Sequence, residues 1–240
     1  MKMERLSATG NTFVVVETEE LSEREKREFV LKNVAELDGV IFVENTEEIP
    51  KMVYFNRDGS KAAFCGNGAR AFLWFLHKTR GLKEVIFKTD AGILHGEILD
   101  DGTVLVEMPT PLMKKEVNVN GQRGYLVEVG VPHLVIEMRE VDTLNFAEFA
   151  RPLRFRYDAN VNVYRVENMC TLKLRTYERG VERETRACGS GAVAVAFVYR
   201  RFLAHNICNL NIVSPGGILK VYFEDERVYL GGGVKEWKKV

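Results

Sequence analysis

The sequence contains two similar seven-residue loops, and an apolar stretch of helical character follows each one. Residues 63–69 read AFCGNGA and residues 186–192 read RACGSGA, so that Cys65 recurs 123 positions later as Cys188. A single Cys-Gly-x-Gly would be weak information, because a cysteine is often just a small buried hydrophobe. Two matched copies predict a duplicated structural unit, each half carrying a cysteine in a glycine-rich loop.

The duplication extends beyond the two loops. Four landmarks recur in order at offsets of 120 to 125 residues: Gly10 with Gly130, Tyr54 with Tyr177, Cys65 with Cys188, and residues 92–94 with residues 217–219. Each copy has the size of a small domain, on the order of 100 to 120 residues. Two copies alone predict a protein of two lobes rather than a solenoid.

Prolines and glycines suggest where the lobes begin and end. Pro109 and Pro111 interrupt the pattern with residues that extend neither a strand ladder nor a helix, so we place the crossover between lobes there. Three consecutive glycines, residues 231–233, predict a turn before the tail. The predicted domains are residues 1–110 with Cys65 and residues 111–230 with Cys188.

Composition excludes several classes of function. The 240 residues are 46% hydrophobic and 28% charged, which suffices for two buried cores. The 34 basic side chains balance 34 acidic ones, so no basic field is available to hold nucleic acid or an anionic membrane. The N-terminus lacks the apolar segment of a signal peptide, and the apolar run 192–199 is too short to span a bilayer. We expect a cytoplasmic protein with small-molecule partners.

Cysteine and histidine spacing predicts neither a zinc site nor a thioredoxin-type site. No two of the four cysteines form a C-x-x-C pair, and none has a histidine at metal-ligand spacing. In a reducing compartment the thiols should stay free. Cys170 and Cys208 have no duplicated setting, and we interpret them as packing residues. His77, His95 and His205 match no motif, and we interpret them as structural.

Local patterns predict a mixed α/β fold class. A charged helical stretch, residues 22–33, lies between the first two of five strand-like runs at residues 12–16, 40–43, 52–55, 85–88 and 104–108. Residues 67–77 predict a helix with one apolar stripe, which Gly81 would end. Residues 190–203 are apolar nearly all round, which favours a helix enclosed by sheet. The stripe of the first helix consists of Ala69, Phe72, Leu73 and Leu76.

A cysteine at the start of a helix has the chemistry of an acid or a base. The first backbone N–H groups of a helix lack internal partners and carry partial positive charge, so they attract anions and favour a thiolate. Glycines beside the cysteine let a substrate carboxylate reach those amides. If two such loops face one cleft, one thiolate removes a proton from a carbon and the opposite thiol returns one to the other face. That pair would invert the α-carbon of an amino acid without pyridoxal or metal.

The residues around both cysteines resemble a known family, the cofactor-independent diaminopimelate epimerases. FNRDGS at residues 55–60 with CGNGAR at 65–70 resembles the family's first signature, and YERG at 177–180 with ACGSG at 187–191 resembles its second. The similarity covers essentially the whole chain, because further motifs fall in family order: Gly10-Asn11, Pro132-His133 and Asn160-Val161. The resemblance implies two pseudo-symmetric lobes, each a curved mixed sheet or barrel around a central helix. It implies as well that the tail, residues 231–240, returns to the first lobe. It also implies a homodimer and no cofactor.

The resemblance further implies a role for individual residues. Cys65 and Cys188 would be the acid/base pair, with His133 and Glu178 assisting proton transfer. The other implied contacts are Gly66, Asn67, Gly189 and Ser190 to the reacting carboxylate, Asn11 and Glu178 beside the reacting amine, and Asn56, Asn160 and Arg179 to the distal end of the substrate.

One departure from the family pattern concerns the substrate. The run Gly130-Val131-Pro132-His133 has valine where the family has asparagine. A lost hydrogen bond to a charged group weakens recognition by roughly 1.5 to 3 kcal/mol unless another group replaces it. The leading hypothesis is epimerisation of LL-diaminopimelate to the meso form, in lysine and peptidoglycan precursor synthesis. A racemase of lysine or another amino acid is the alternative, and a non-catalytic thiol redox or structural protein is a second one.

Overall fold

The computed structural model describes residues 2–18, 21–34, 36–45 and 49–238. The chain divides into two compact units. The first comprises Met1–Glu107 with Gly231–Val240, and the second comprises Met108–Leu230.

The described residues of the first unit form eight strands and two helices before the chain enters the second unit. The strands are β1 (Lys2–Ala8), β2 (Asn11–Glu17), β3 (Gly39–Asn45), β4 (Pro50–Asn56), β5 (Lys61–Ala62), β6 (Glu84–Thr89), β7 (Gly92–Ile98) and β8 (Val104–Met108), the last ending at the boundary. The helices are α1 (Glu23–Asn33) and α2 (Gly66–Arg80).

The second unit repeats this order after one additional strand. Its strands are β9 (Leu112–Val119), β10 (Gln122–Val129), β11 (Val131–Glu137), β12 (Asn160–Asn168), β13 (Thr171–Glu178), β14 (Arg183–Thr185), β15 (Asn209–Ser214), β16 (Gly217–Glu224) and β17 (Arg227–Gly232). Its helices are α3 (Phe146–Tyr157) and α4 (Gly189–Phe202). A last strand, β18 (Val234–Glu236), belongs to the first unit and pairs antiparallel with its β1.

Strand pairing is the same in both units. In the first, β2–β3 and β4–β6 are parallel, and β3–β4 and β6–β7 are antiparallel. In the second, β11–β12 and β13–β15 are parallel, and β12–β13 and β15–β16 are antiparallel. In each unit one helix contacts most of these strands, α2 in the first and α4 in the second. The predicted fold class is confirmed: a mixed fold of two similar halves, each with a central helix.

The central helix of the first unit follows its sequence pattern closely. The predicted stripe of Ala69, Phe72, Leu73 and Leu76 is buried, which stabilises the unit by roughly 1.5 to 3 kcal/mol for each large side chain. Gly81 ends the helix in the left-handed region at φ 71°, where glycine has no steric penalty. The helix begins at Gly66, one residue before the predicted start, because Cys65 itself is the N-cap.

The central helix of the second unit is enclosed, as its all-round apolar pattern predicted. Every residue from Ala192 to Ala196 is completely buried, and strands β10 to β13, β15 and β16 all contact the helix. At 14 residues it is short. No helix among the described residues is long and apolar enough to cross a membrane.

The glycine run 231–233 was predicted as a turn, and that prediction is wrong for its first two residues. Gly231 and Gly232 belong to β17, and only Gly233 lies between strands. Gly232 is required for space rather than for a turn, because a side chain there would overlap the guanidinium of Arg70.

Candidate active site

The first cysteine loop lies at the N-terminus of α2. Cys65 is half-buried and has extended backbone angles, φ −144° and ψ 111°. Its Sγ accepts a hydrogen bond from the Gly68 N–H at 3.4 Å, and its carbonyl accepts one from the Ala69 N–H at 2.7 Å. The sulfur therefore sits within the field of the first helical amides, as the sequence predicted.

Asn67 and Asn11 lie together beside this loop. The buried Asn67 donates from Nδ2 to Asn11 Oδ1, which joins the start of α2 to the start of β2. Asn67 Oδ1 in turn accepts from Arg70 Nη2 at 2.6 Å. Asn67, predicted to contact the substrate carboxylate, and Asn11, predicted to contact the substrate amine, are therefore hydrogen-bonded to each other.

Asn56 ends β4 and is held within its own turn. Its side chain donates to Ser60 Oγ at 3.0 Å, and its backbone N–H donates to the Ser60 carbonyl at 2.8 Å. The Ser60 hydroxyl donates to Asp58 at 2.6 Å. These bonds order the turn that precedes the Cys65 loop.

The second cysteine loop lies at the N-terminus of α4 and is more buried than the first. Cys188 Sγ is 3.6 Å from the Ser190 hydroxyl. The Cys188 thiol also shares a hydrogen bond with the Glu178 carboxylate, which accepts from Thr185 Oγ1 at 2.6 Å. Glu178 and Cys188 therefore form an adjacent pair.

The electrostatics of Cys188 differ from the expectation of a favoured thiolate. Burial raises the pKa of the Cys188 thiol well above its ordinary value, and the negative charge of Glu178 raises it further. The Ser190 hydroxyl and the Gly191 amide oppose this only in part. Desolvation of a charge outweighs the helix terminus here, so Cys188 holds its proton at neutral pH.

His133 lies on β11, next to Asn160 on the parallel strand β12. The ring is completely buried, and Asn162 Nδ2 lies 3.0 Å from its Nδ1. An amide nitrogen only donates, so Nδ1 accepts and the proton resides on Nε2. Nε2 has no hydrogen-bond partner within the described part of the chain. Burial lowers the pKa of His133 to about 3, so the ring is neutral and presents an N–H.

Asn160 and Arg179 also meet in the second unit. Asn160 Oδ1 accepts from the Arg179 backbone N–H at 2.8 Å, which orients the turn after β13. The Arg179 guanidinium uses Nη1 on Asp158, at 2.9 Å. Arg179 occupies the place in the second repeat that Asn56 occupies in the first, 123 residues earlier.

Three residues that were not singled out from the sequence belong to these groups. Arg70 stands in the first signature itself, and its buried position beside Asn67 was not predicted. Asn162 lies two residues after Asn160, where strand alternation places both on one face. Thr185 carried no sequence signal, because its contact with Glu178 depends on the pairing of β13 with β14.

The remaining cysteines and histidines lie away from both loops. Cys170 and Cys208 are exposed, so the prediction that they are packing residues is wrong. Each lies near a strand end, where polar neighbours are common and a thiol is tolerated without burial. His77 Nδ1 is 3.2 Å from the Leu82 carbonyl, and His95 Nε2 is 2.9 Å from Glu84. Both contacts are structural.

Gly191 is predicted to tolerate no side chain. A Cβ there would overlap Asn162 Oδ1 and lie 3.3 Å from both Cβ and Sγ of Cys188. We expect Gly191→Ala to lower the free energy of unfolding by about 1 to 3 kcal/mol, measured by urea unfolding. It should also lower kcat for the amino-acid inversion predicted from the sequence at least about tenfold, measured by turnover. Gly233→Ala is the matched control, since its Cβ would meet no atom within 4 Å. Equal behaviour of the two variants would contradict this packing argument.

The buried His133 predicts a loss of stability in mild acid. Its folded-state pKa of about 3 lies below the ordinary 6.5, so its contribution is complete above pH 6.5 and is lost as the pH falls towards 3. Between pH 7 and pH 5 the wild type should lose about 2 kcal/mol more than His133→Gln, which cannot titrate. Urea unfolding at both pH values measures this difference, and parallel losses in the two proteins would refute it.

Known proteins resemble this chain along nearly its whole length. The family model described as Diaminopimelate epimerase matches residues 6–114 and 125–236. The diaminopimelate epimerase of Thermotoga maritima is 45% identical over 233 residues, which is 95% of this chain and 97% of that protein. The diaminopimelate epimerase of Aquifex aeolicus is 34% identical over 265 residues, covering 98% and 95%.

Solved structures share the fold at much lower identity. A phenazine biosynthesis protein of the PhzF family from Bacillus anthracis matches with a TM-score of 0.80 at 16% identity, covering 99% of this chain and 98% of that one. A hydroxyproline epimerase from Agrobacterium vitis matches with a TM-score of 0.74 at 13% identity, covering 98% and 88%. Because the family model and the relatives both cover nearly the whole chain, the protein belongs to the diaminopimelate epimerase family.

Proposed function

We propose that the protein epimerises LL-diaminopimelate to meso-diaminopimelate, in lysine and peptidoglycan precursor synthesis. The protein is an isomerase by its family, and its substrate is a small amino acid. The observation that carries the proposal is the duplicated N-cap cysteine, one at the central helix of each unit, in a chain of this family.

The proposed mechanism uses the two thiols as an acid and a base. One cysteine, as thiolate, removes the α-proton, and the other, as thiol, delivers a proton to the opposite face of the same carbon. Because Cys188 holds its proton at neutral pH, Cys65 is the base in the direction that starts from the resting enzyme. The roles reverse for the other configuration, and each turnover exchanges the protonated partner.

Charge that develops on the substrate needs donors in fixed places. The backbone and side chains of Gly66, Asn67, Gly189 and Ser190 are proposed to bind the reacting carboxylate, where the two helix N-termini stabilise the carbanion-like transition state. No cofactor is required in this scheme. We propose that Asn11 and Glu178 contact the reacting amine, and that the distal end of the substrate is bound by Asn56, Asn160 and Arg179.

Glu178 and His133 are proposed to assist the two thiols. Glu178 accepts a hydrogen bond from the Cys188 thiol and so keeps that thiol protonated until it transfers its proton to the α-carbon. His133 is neutral, so it contributes an Nε2–H donor rather than a positive charge. This refines the expectation that His133 assists proton transfer: it acts as a hydrogen-bond donor and does not itself ionise.

Proton exchange at the α-carbon tests the proposed function. In deuterated buffer with reductant, we expect LL-diaminopimelate to acquire deuterium and to change configuration together, followed by mass spectrometry and chiral chromatography. Retention of all α-hydrogen by diaminopimelate and by lysine would refute the proposal and return the redox or structural alternative. That alternative also predicts that the paired cysteines are oxidised in the native state.

A lysine racemase is a second candidate because of one residue. Val131 is 39% exposed at the start of β11 and offers no side-chain hydrogen bond where the family pattern has asparagine. A substrate without a distal carboxylate would not need that donor. We further propose, from the family resemblance, that the protein is cytoplasmic and forms a homodimer. Analytical ultracentrifugation measures the oligomeric state.

A further inference from the structure

Arg70 is the largest completely buried side chain in the described structure. Its guanidinium donates to two uncharged oxygens, Asn67 Oδ1 at 2.6 Å and Thr9 Oγ1 at 3.0 Å. Its Nε has no partner among the described residues, and no carboxylate there pairs with it. A buried cation without a counter-ion is unfavourable, and a fold retains one rarely without a function for the charge.

Two local features make room for this guanidinium. Gly232 has no side chain where Arg70 Nη1 lies, and any Cβ would overlap it. Thr9 has φ 49°, in the left-handed region that a β-branched residue rarely adopts. Its hydroxyl accepts the Arg70 hydrogen bond from that strained position. Both the strained backbone of Thr9 and the missing side chain of Gly232 are needed for the Arg70 guanidinium to occupy this position.

The carboxylates on neighbouring elements are engaged elsewhere. Glu4 on β1 and Glu236 on β18 pair with Lys78, and Glu17 on β2 pairs with Arg80, both at the far end of α2. Burial lowers the pKa of Arg70 to about 10, and the negative charge that Cys65 carries as a thiolate offsets part of this effect. Arg70 is therefore still charged at neutral pH.

The second repeat has no such cation. The position 123 residues after Arg70 is Val193, which is completely buried. Its cysteine instead has the Glu178 carboxylate beside it. The duplicated loops therefore carry opposite electrostatics, a positive charge near Cys65 and a negative one near Cys188.

We propose that Arg70 is a positioning residue for the reaction: it fixes the amide of Asn67 with its nitrogen towards Asn11, and its charge keeps Cys65 ionised in the resting enzyme. The catalytic meaning of this inference rests on the proposed function. The state of the two thiols does not, because it is measured without turnover.

Alkylation of each cysteine by iodoacetamide across pH 5 to 10, followed peptide by peptide, tests the charge. In the wild type, Cys65 should react with a midpoint at lower pH than Cys188. In Arg70→Met the Cys65 midpoint should rise by about one unit or more, so that alkylation at pH 7 slows about tenfold. Arg70→Lys should keep most of the wild-type profile, because it keeps the charge.

Positioning is tested separately with the lysine variant. A single ammonium cannot reproduce the planar fork that bonds Thr9 and Asn67 together, so Arg70→Lys should raise KM about tenfold with a smaller change in kcat. Lys78→Met is the matched control, because it removes a positive charge from the same helix and should leave the Cys65 profile unchanged.

Equal wild-type midpoints for Cys65 and Cys188 would overturn the charge role even if Arg70→Met fails to fold. An unchanged Cys65 midpoint in folded Arg70→Met would overturn it too, and an unchanged KM in Arg70→Lys would overturn the positioning role. Failure of the proposed function is a different result, since diaminopimelate would then exchange no α-proton while alkylation still reports on Arg70.

Discussion

Replacement of either loop cysteine by serine is expected to lower kcat for epimerisation at least about 1,000-fold. A serine hydroxyl is several units less acidic than a thiol, so it neither holds the negative charge of a base nor releases a proton readily. In the proposed mechanism, Cys65→Ser removes the base for one configuration, and Cys188→Ser removes the acid that completes the inversion. Both serines fit the space of the thiol, so the fold should persist, which circular dichroism and thermal unfolding measure.

Isotope exchange sharpens this prediction. A variant with one thiol left can still remove and return a proton on one face, so slow exchange without inversion is compatible with the two-base scheme. Cys170→Ser and Cys208→Ser are matched controls, because both cysteines are exposed and lie away from the loops. Epimerisation at near wild-type rate in either loop variant would contradict the assignment of two bases.

The second large effect concerns the choice between diaminopimelate and lysine. We expect kcat/KM for diaminopimelate to exceed that for L-lysine by at least about 100-fold, because in the proposed site the Arg179 guanidinium binds the distal carboxylate, which lysine lacks. Arg179 uses only Nη1 on Asp158, so its Nε and Nη2 can donate to the two oxygens of a carboxylate without breaking that pair. Parallel kinetics on the two amino acids measure the ratio.

Two variants show which residue supplies the discrimination. Arg179→Met should reduce the ratio to within about tenfold of unity, since it removes the cation while keeping the bulk of the side chain. Val131→Asn should change the ratio of the two kcat/KM values far less, if Arg179 and Asn160 already replace the side-chain amide that the family pattern has at position 131. A wild-type preference for lysine would instead make the protein a racemase of that amino acid.

Much of the fold could be predicted from the sequence because it follows local rules. The stripe of α2, its glycine stop and the all-round apolar pattern of α4 each reflect the 3.6-residue helical period, and each was confirmed. The repeat offset of about 123 residues predicted two equivalent halves, and the strand pairings are equivalent. The cysteine position at both helix starts follows from the same duplicated motif.

Other features could not be read locally. The glycines at 231 and 232 resemble a turn, yet Gly232 is explained by an arginine 162 positions earlier in the chain. Cys170 and Cys208 carry no polar signal of their own, so their exposure followed only from where their strands end. The contact of Thr185 with Glu178 requires the β13–β14 ladder.

The sequence by itself determined that this protein has two equivalent halves and where each places its cysteine, because helix periodicity, caps and repeats depend on residues close along the chain. The tertiary structure decided the electrostatic surroundings of each cysteine. Burial and the Glu178 carboxylate keep Cys188 protonated, whereas a buried Arg70 lies near Cys65. Desolvation and charge act through space, so two loops of similar sequence have neighbouring charges of opposite sign.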